Sequence, residues 1–160
     1  MNFATVRSSS EADLQDLQVL HQHLCENEAK YVLGVQTDFS YSDEGVAYFK
    51  ARMESPKEYV KLVLVNAHPV GFLIASLDQV DCTWAKLDSF YINSNDRGRG
   101  LGRLLFEDFV CWTKLQGCER VTVAVADSNI DAWAIYLKLG FKELDRKGHS
   151  VILELTKTAS

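Results

Sequence analysis

The chain has 160 residues, 47% of them hydrophobic, with 17 basic against 22 acidic side chains and a formal net charge of -5. This length predicts one domain over residues 1–160 with a single core, and the composition excludes a disordered or fibrous protein. The negative charge disfavours nucleic acid and anionic membrane surfaces as partners.

The first part of the chain is predicted to form one short strand and two amphipathic helices. After the strand around position 6, Ser8 and Glu11 have the spacing of a capping box, and leucines recur at helical intervals up to about Glu28. A second helix is expected from near Ser42 to just before Pro56. Residues 1–80 hold 6 basic and 11 acidic side chains, so the acidic excess lies here.

The second part of the chain is predicted to be mainly strands, because β-branched and large apolar residues cluster there between turn residues. A glycine-rich turn follows one of these strands and opens a helix that Gly117 closes. The predicted elements are strands at 59–65, 70–77 and 84–92, a helix from 101, a strand at 121–125, a helix at 129–139 and a strand at 151–155. The predicted order, β-α-α-β-β-β-α-β-α-β-β, includes one further strand, without assigned bounds, before the one at 151–155, and it indicates a mixed α/β layer structure.

Cysteine usage and the apolar runs indicate a cytoplasmic protein. The longest apolar runs are far short of the ~20 residues that a membrane helix needs, and the N-terminus has no charged-then-apolar leader. The four cysteines form no Cys-x-x-Cys pair, and the histidines are too few and badly spaced for a zinc site. We therefore expect reduced thiols, no metal and no membrane association.

The stretch Arg97-Gly98-Arg99-Gly100-Leu101-Gly102, called the glycine turn below, has the chemistry of an anion site. Glycines let successive backbone N–H groups face one point, and the first N–H groups of the following helix have no intrahelical partner. Arg97, Arg99 and Arg103 add charge for phosphate oxygens. Arg103 stands where a dinucleotide fingerprint needs glycine, and no Gly-Lys-Ser/Thr is present for a P-loop. The alternative is a solvated basic turn that merely starts a helix.

The glycine turn and a second signature together resemble the GCN5-related N-acetyltransferases (GNAT). The family's acetyl-CoA motif, Arg/Gln-x-x-Gly-x-Gly/Ala, is matched from Arg97 to Gly102. Its second signature is matched by a strand, then Asn129-Ile130-Asp131-Ala132, Tyr136 and Gly140-Phe141. The resemblance extends from Tyr59 to Leu155. It implies a mixed, mostly antiparallel sheet of six to seven strands, flanked by about four helices.

The resemblance also implies how acetyl-CoA is bound. Backbone N–H groups of about Arg99 to Gly102 would take the pyrophosphate, and Asn129 would bond the pantetheine arm. The arm would lie between the strand that ends at Ile92 and the strand at Val121, which splay apart. The cofactor-binding residues implied are Phe90, Tyr91, Ile92, Arg97, Gly98, Arg99, Gly100, Leu101, Gly102, Arg103, Asn129 and Tyr136. Asn129 has an alternative role as a helix cap, and both roles can coexist.

Two residues are candidates for catalysis. Tyr136 lies seven residues after Asn129 and shares its helix face, and in the family a tyrosine here protonates the leaving thiolate. Asp88 lies on the strand before the glycine turn, in a segment similar to Leu-Glu-Asp-Phe/Leu-x-Val, where the acid faces the substrate and would help deprotonate the amine. Aspartate is one methylene shorter than glutamate, which favours a bridging water. The alternatives are a core tyrosine and a solvent-facing carboxylate.

The resemblance therefore implies an N-acetyltransferase that moves acetyl directly from acetyl-CoA to a primary amine. The acidic first half favours a small cationic amine such as a polyamine or diamine. A protein N-terminus or lysine is the chief alternative acceptor, and a non-catalytic acyl-CoA-binding module is the alternative class. Pairing through the final strand, common in the family, would give a homodimer.

Overall fold

The computed structural model describes residues 3–156, which contain seven strands and four α-helices. Their order along the chain is the predicted one. The single-domain prediction also covers residues 1–2 and 157–160, which lie outside the described residues. The elements are β1 Ala4–Ser8, α1 Leu14–Glu28, α2 Asp43–Glu54, β2 Glu58–Val65, β3 His68–Leu77, β4 Trp84–Ile92, α3 Leu101–Leu115, β5 Arg120–Ala126, α4 Ile130–Lys138, β6 Lys142–Lys147 and β7 Ser150–Thr156.

The strands form one mixed sheet in the order β1-β2-β3-β4-β5-β7-β6. Neighbours are antiparallel except β4 and β5, which are parallel because α3 carries the chain back between them. The predicted, mostly antiparallel sheet is confirmed. β7 pairs with β5 on one side and β6 on the other, so over residues 150–154 it has no free edge for pairing with a second copy.

The sheet opens at its parallel pair. Pairing of β4 with β5 ends at Leu87 and Val123, although β4 continues to Ile92. On the other side of β4 the register with β3 shifts, since Ile74 pairs with Ser89 and Ala75 with Leu87, which leaves Asp88 as a bulge. A bulge bends its strand and increases the local twist, so it turns β4 away from β5.

Each face of the sheet carries its own core. On one face, Leu17 of α1 and Phe49 of α2 pack on Phe72 of β3, and all three are fully buried. On the other face, Phe109 of α3 packs in a cluster with Leu73 of β3. Successive residues of β3 thus enter opposite cores, as the period of a strand requires, and β3 is buried on both sides.

The N-terminus of α2 is capped where the sequence predicts, whereas the cap before α1 lies two residues later than predicted. The box predicted at Ser8 and Glu11 is wrong: Ser8 stays in β1 opposite Lys61, and the Ser10 N–H donates instead to Asp13 Oδ2 at 2.8 Å. A single 3-10 turn over Glu11–Asp13 separates this cap from α1. At α2 the predicted start is confirmed, because Ser42 Oγ accepts from the Gly45 N–H at 3.0 Å.

Candidate functional site

A cleft of about 540 Å³ opens where β4 and β5 part. Its walls come from the end of α1, the second half of β4, the glycine turn, the end of β5 and α4. A volume of this size is typical of a small-molecule site. All of the predicted site residues line it except Arg99: they are Asp88, Phe90, Tyr91, Ile92, Arg97, Gly98, Gly100, Leu101, Gly102, Arg103, Asn129 and Tyr136.

The glycine turn presents open backbone donors to this cleft. Gly98 and Gly100 have φ of 80° and 77°, a left-handed conformation that other residues rarely adopt. Gly100 is the N-cap of α3, and its carbonyl accepts from the Leu104 N–H at 3.0 Å. Within residues 3–156 the N–H groups of Leu101, Gly102 and Arg103 have no hydrogen-bond acceptor. Three donors and the positive end of a helix dipole therefore meet at one point, which can bind an anion.

The three arginines around the glycine turn differ in the contacts that their side chains make. Arg97 donates from Nε to the Ile92 carbonyl at 2.9 Å and lies over the Tyr91 ring, 5.4 Å from its centroid. Arg99 faces Asp96, with Nη1 and Oδ1 3.6 Å apart, and does not line the cleft. Arg103 lines the cleft and makes no ion pair with any residue from 3 to 156. Arg103 is thus the cation best placed to meet a bound anion.

Asn129 and Tyr136 come together on α4, as their spacing predicts. Asn129 caps the helix, since its Oδ1 accepts from the Ala132 N–H at 3.2 Å, and its amide nitrogen has no partner among the described residues. The capping role is therefore present, and a donor remains for a ligand. Tyr136 is 7% exposed and packs edge-on against Phe141, with ring centroids 5.3 Å apart.

The phenol of Tyr136 is held in its neutral form. Burial raises its pKa well above the ordinary value, and the negative charge of Glu28 on the opposite wall raises it further. A phenol in this state carries a proton at neutral pH and faces a ligand cleft. It can therefore donate a proton to a strong base that forms beside it, such as a thiolate.

Asp88 lines the cleft from the β4 bulge but is already bonded. Its Oδ2 accepts from Arg52 Nη2 at 2.5 Å and from Ser76 Oγ at 3.2 Å. Arg52 also pairs with Glu58 at 2.9 Å and donates to Tyr48 Oη, and its side chain is only 13% exposed. We call Tyr48, Arg52, Glu58 and Asp88 the Arg52 cluster. It fixes the Asp88 carboxylate and leaves Oδ1 without a partner among the described residues.

The structure adds functional candidates that the sequence did not single out. Glu28 ends α1 and lines the cleft, and Arg52 reaches the cleft only through Asp88. The segment after α1 crosses to α4, where Tyr31 Oη donates to Asp131 and Ser128 Oγ donates to the Tyr31 carbonyl at 2.9 Å. The sequence contains one indication that Glu28 has a functional role. A carboxylate at the C-terminus of a helix opposes the helix dipole, so this position is unfavourable for the helix itself.

Neither a membrane-spanning helix nor a metal-binding group of side chains occurs within residues 3–156. No helix in that range combines the length and the apolar character needed to cross a bilayer. No group of three or more His, Cys, Asp or Glu side chains there is arranged to bind a metal ion.

Proteins similar in sequence are acetyltransferases. An uncharacterized N-acetyltransferase of Methanocaldococcus jannaschii is 30% identical over 105 residues, which are 60% of this chain and 44% of that protein. The spermine/spermidine N(1)-acetyltransferase of Bacillus subtilis is 31% identical over 72 residues, which are 42% of this chain and 47% of that protein. The matched part of the chain spans less than half the length of these curated relatives.

Solved structures with the same fold cover nearly the whole chain. The PaiA N-acetyltransferase of Thermoplasma acidophilum, solved in complex with coenzyme A, superposes with a TM-score of 0.84 at 19% identity over 97% of this chain and 99% of that chain. YncA of Salmonella typhimurium, solved with acetyl-CoA, gives 0.75 at 17% identity over 98% and 96%. These likenesses confirm the fold that the resemblance implied.

A family model gives the assignment. The model of the Acetyltransferase (GNAT) family matches residues 20–141, which include the end of α1, the β4 bulge, the glycine turn and Tyr136. This range is well over half of the chain and contains both predicted signatures. The chain belongs to the GNAT acetyltransferase family.

Proposed function

We propose that the protein transfers the acetyl group of acetyl-CoA directly to a primary amine. The observation that carries this proposal is the cleft itself. One cavity joins the open N–H groups at the start of α3, the neutral phenol of Tyr136 and the carboxylates of Glu28 and Asp88. An anion site, a proton donor and proton acceptors are the groups that acetyl transfer from a CoA thioester to an ammonium requires.

The residues present fit coenzyme A as the donor substrate. The open N–H groups of Leu101, Gly102 and Arg103, with the Arg103 side chain, suit a pyrophosphate. The amide nitrogen of Asn129 is a donor for a pantetheine carbonyl. Beyond Leu87, β4 has no β5 partner, so backbone groups of Phe90, Tyr91 and Ile92 can bond a ligand that lies between the strands.

Each group of the cleft then has a separate role in acetyl transfer. Acetyl-CoA supplies an acetyl thioester, which only a neutral amine attacks. Tyr136 donates its proton to the departing sulfur, and burial keeps that proton in place until then. Open backbone N–H groups at the end of β4 polarise the acetyl carbonyl. A carboxylate of the cleft takes the proton of the ammonium; Asp88, the residue that the resemblance implies, has only Oδ1 open for this, because its Oδ2 is bonded to Arg52 and Ser76.

A small cationic amine is the acceptor class that the cleft supports best. Four carboxylates line it, from Glu28, Asp88, Asp96 and Asp131, against three cations, Arg97, Arg103 and Lys138, two of which lie at the glycine turn. A polyamine or diamine is fully charged at neutral pH and would gain from this field. The similarity to spermine/spermidine N(1)-acetyltransferase points the same way. We further propose that the protein acts in the cytoplasm, and that any homodimer uses a surface other than the edge of β7.

A thiol-release assay tests this proposal. Purified protein with acetyl-CoA is offered spermine, spermidine, putrescine, single amino acids, aminoglycosides and short peptides with a free N-terminus or lysine. The proposal expects CoA release that depends on the amine, with polyamines giving the highest kcat/KM and the acetylated product identified by mass spectrometry.

The outcomes separate the alternatives. Faster reaction with peptides would replace the polyamine by a protein N-terminus or lysine and keep the transferase. Binding of acetyl-CoA without transfer to any amine would indicate an acyl-CoA-binding module. Failure to bind acetyl-CoA would overturn the donor as well.

A further inference from the structure

Glu28 is a carboxylate of the cleft wall that has no partner among the described residues. It is half-buried at the last position of α1, and within residues 3–156 its side chain makes no hydrogen bond or ion pair. Its backbone is fixed, because its carbonyl accepts from the N–H groups of Tyr31 at 2.9 Å and Val32 at 3.0 Å. The backbone therefore holds the carboxylate in position, and no group of residues 3–156 forms a hydrogen bond or ion pair with it.

This placement has no structural benefit that would explain it. A negative charge at the C-terminal end of a helix opposes the helix dipole, and partial burial disfavours the charge further. The neighbouring Glu26 shows the ordinary alternative, since it is exposed and accepts from Gln22 Nε2 at 3.2 Å. An unpaired carboxylate that lines a ligand cleft is instead suited to receive a cation from that ligand.

Glu28 also stands opposite the proposed acid. Tyr136 lines the same cleft from α4, and the two groups are close enough for the Glu28 charge to act on the phenol. Asp88 differs, because Arg52 and Ser76 both bond its Oδ2. These two contacts hold the Asp88 carboxylate in one place, which suits it to orient a bound acceptor.

We propose that Glu28 binds the ammonium of the acceptor and removes its proton, while Asp88 orients the acceptor. This inference rests on the proposed function. The proton moves from the ammonium nitrogen to a Glu28 carboxylate oxygen, and the nitrogen lone pair then forms the C–N bond to the acetyl carbon as the C–S bond breaks. Sulfur takes the Tyr136 proton, the second nitrogen proton returns to Tyr136 through water, and Glu28 releases its proton to solvent. One proton is released in each turnover.

The surroundings of Glu28 suit a base. Burial raises the pKa of Glu28 above its ordinary value, which strengthens its carboxylate as a proton acceptor. Its own helix contributes Cys25, whose pKa is raised by burial and by the charge of Glu28. The other titratable or charged side chains that line the cleft are Asp88 and Tyr91 on β4, Asp96, Arg97 and Arg103 around the glycine turn, and Asp131, Tyr136 and Lys138 on α4.

The pH dependence of kcat/KM in Glu28→Gln tests the inference. The assay follows CoA release with spermidine, or with a faster member of the panel, from about pH 6.5 to pH 9.5. We expect kcat/KM near pH 7 to fall by roughly a hundredfold, as is typical for loss of a general base. The deficit should shrink as pH rises, because a growing fraction of the amine arrives already neutral. Glu28→Asp should recover part of the activity, and Glu26→Gln should behave like the wild type.

Any of the following results would overturn the assignment of Glu28 as the base. An equal loss at every pH would indicate a merely structural role for Glu28. A deficit that shrinks with pH in Asp88→Asn but not in Glu28→Gln would make Asp88 the base. Wild-type protein that reacts with amines while Glu28→Gln stays fully active would refute the inference alone, whereas wild-type protein without transfer to any amine would refute the proposed function with it.

Discussion

The two walls of the cleft are built in different ways. The glycine turn and the start of α3 form a wall from consecutive residues, where Gly98, Gly100 and three open N–H groups follow each other along the chain. The opposite wall takes its side chains from separate elements: Glu28 ends α1, and Asp88 lies on β4, where Arg52 of α2 bonds it. These residues are brought together by the packing of α1 and α2 on the sheet.

This difference coincides with the division between the proposed donor site and the proposed acceptor site. A wall made of backbone groups at a helix start recognises one constant feature, a phosphate, whatever the side chains nearby. A wall made of side chains from three elements changes with any of them, so it can adapt to different amines without disturbing the first wall. Substitutions should therefore affect the two walls independently.

The largest effect is expected from Gly100→Val. Valine disfavours the left-handed conformation of Gly100 at φ 77°, so the turn must relax and the N–H groups of Leu101 to Arg103 lose their common direction. Charge-assisted hydrogen bonds contribute about 1.5–3 kcal/mol each, so we expect acetyl-CoA affinity to fall roughly a hundredfold. Isothermal titration calorimetry measures the change.

Gly117→Val is the matched control for that experiment. Gly117 follows α3 with φ 78°, and like Gly100 it has open space where a side chain would be added. The substitution therefore introduces similar backbone strain at the far end of the same helix. Equal losses of affinity in both variants would mean that strain in α3, and not the glycine turn, limits binding.

Tyr136→Phe should have the next largest effect, and it should lower catalysis without affecting the binding of acetyl-CoA. The change removes one hydroxyl and leaves the packing against Phe141. Loss of the proton donor should lower kcat at least tenfold, about 1.4 kcal/mol, with acetyl-CoA affinity nearly unchanged. Steady-state kinetics and calorimetry together measure this, and unchanged turnover would remove the assigned role.

Tyr59→Phe provides the comparison. The Tyr59 hydroxyl donates to Asp108 Oδ2 at 2.7 Å and takes no part in the cleft lining, so the same deletion should alter stability and not kcat. A drop in kcat of similar size in both variants would show that loss of a buried hydroxyl, and not of a proton donor, slows the enzyme.

Sequence patterns predicted the first wall far better than the second. Strand and helix order and the start of α2 near Ser42 were predictable, because periodicity and helix boundaries are encoded locally, and the family resemblance implied the splay of β4 from β5. Arg52 and Asp88 are 36 positions apart, and no pattern indicates that the first bonds the second. Tyr31 and Asp131 are 100 positions apart and meet only in the folded chain. The pairing of Asp88 with Arg52 thus had to come from the structure.

The smallest expected effect concerns the helices behind the acceptor wall. His21 of α1 is 8% exposed, and its Nδ1 lies 2.7 Å from Ser40 Oγ, which links the segment before α2 to α1. Burial lowers the pKa of His21 to about 4, below the usual value near 6.5. The unfolded chain therefore takes up this proton at a higher pH than the folded chain does.

Linkage then gives the sign of the pH dependence. Stability from neutral His21 is complete above about pH 6.5, falls as the pH drops below that value, and levels off below about pH 4. Between about pH 7.5 and pH 5.5 the loss is about 1 kcal/mol of unfolding free energy. Urea denaturation at both pH values measures it. In His21→Gln this difference should shrink, whereas His23→Gln, an exposed neighbour on the same helix, should keep it. Because the loss arises in the packing of α1 and α2, acetyl-CoA affinity at the glycine turn should change little over the same interval.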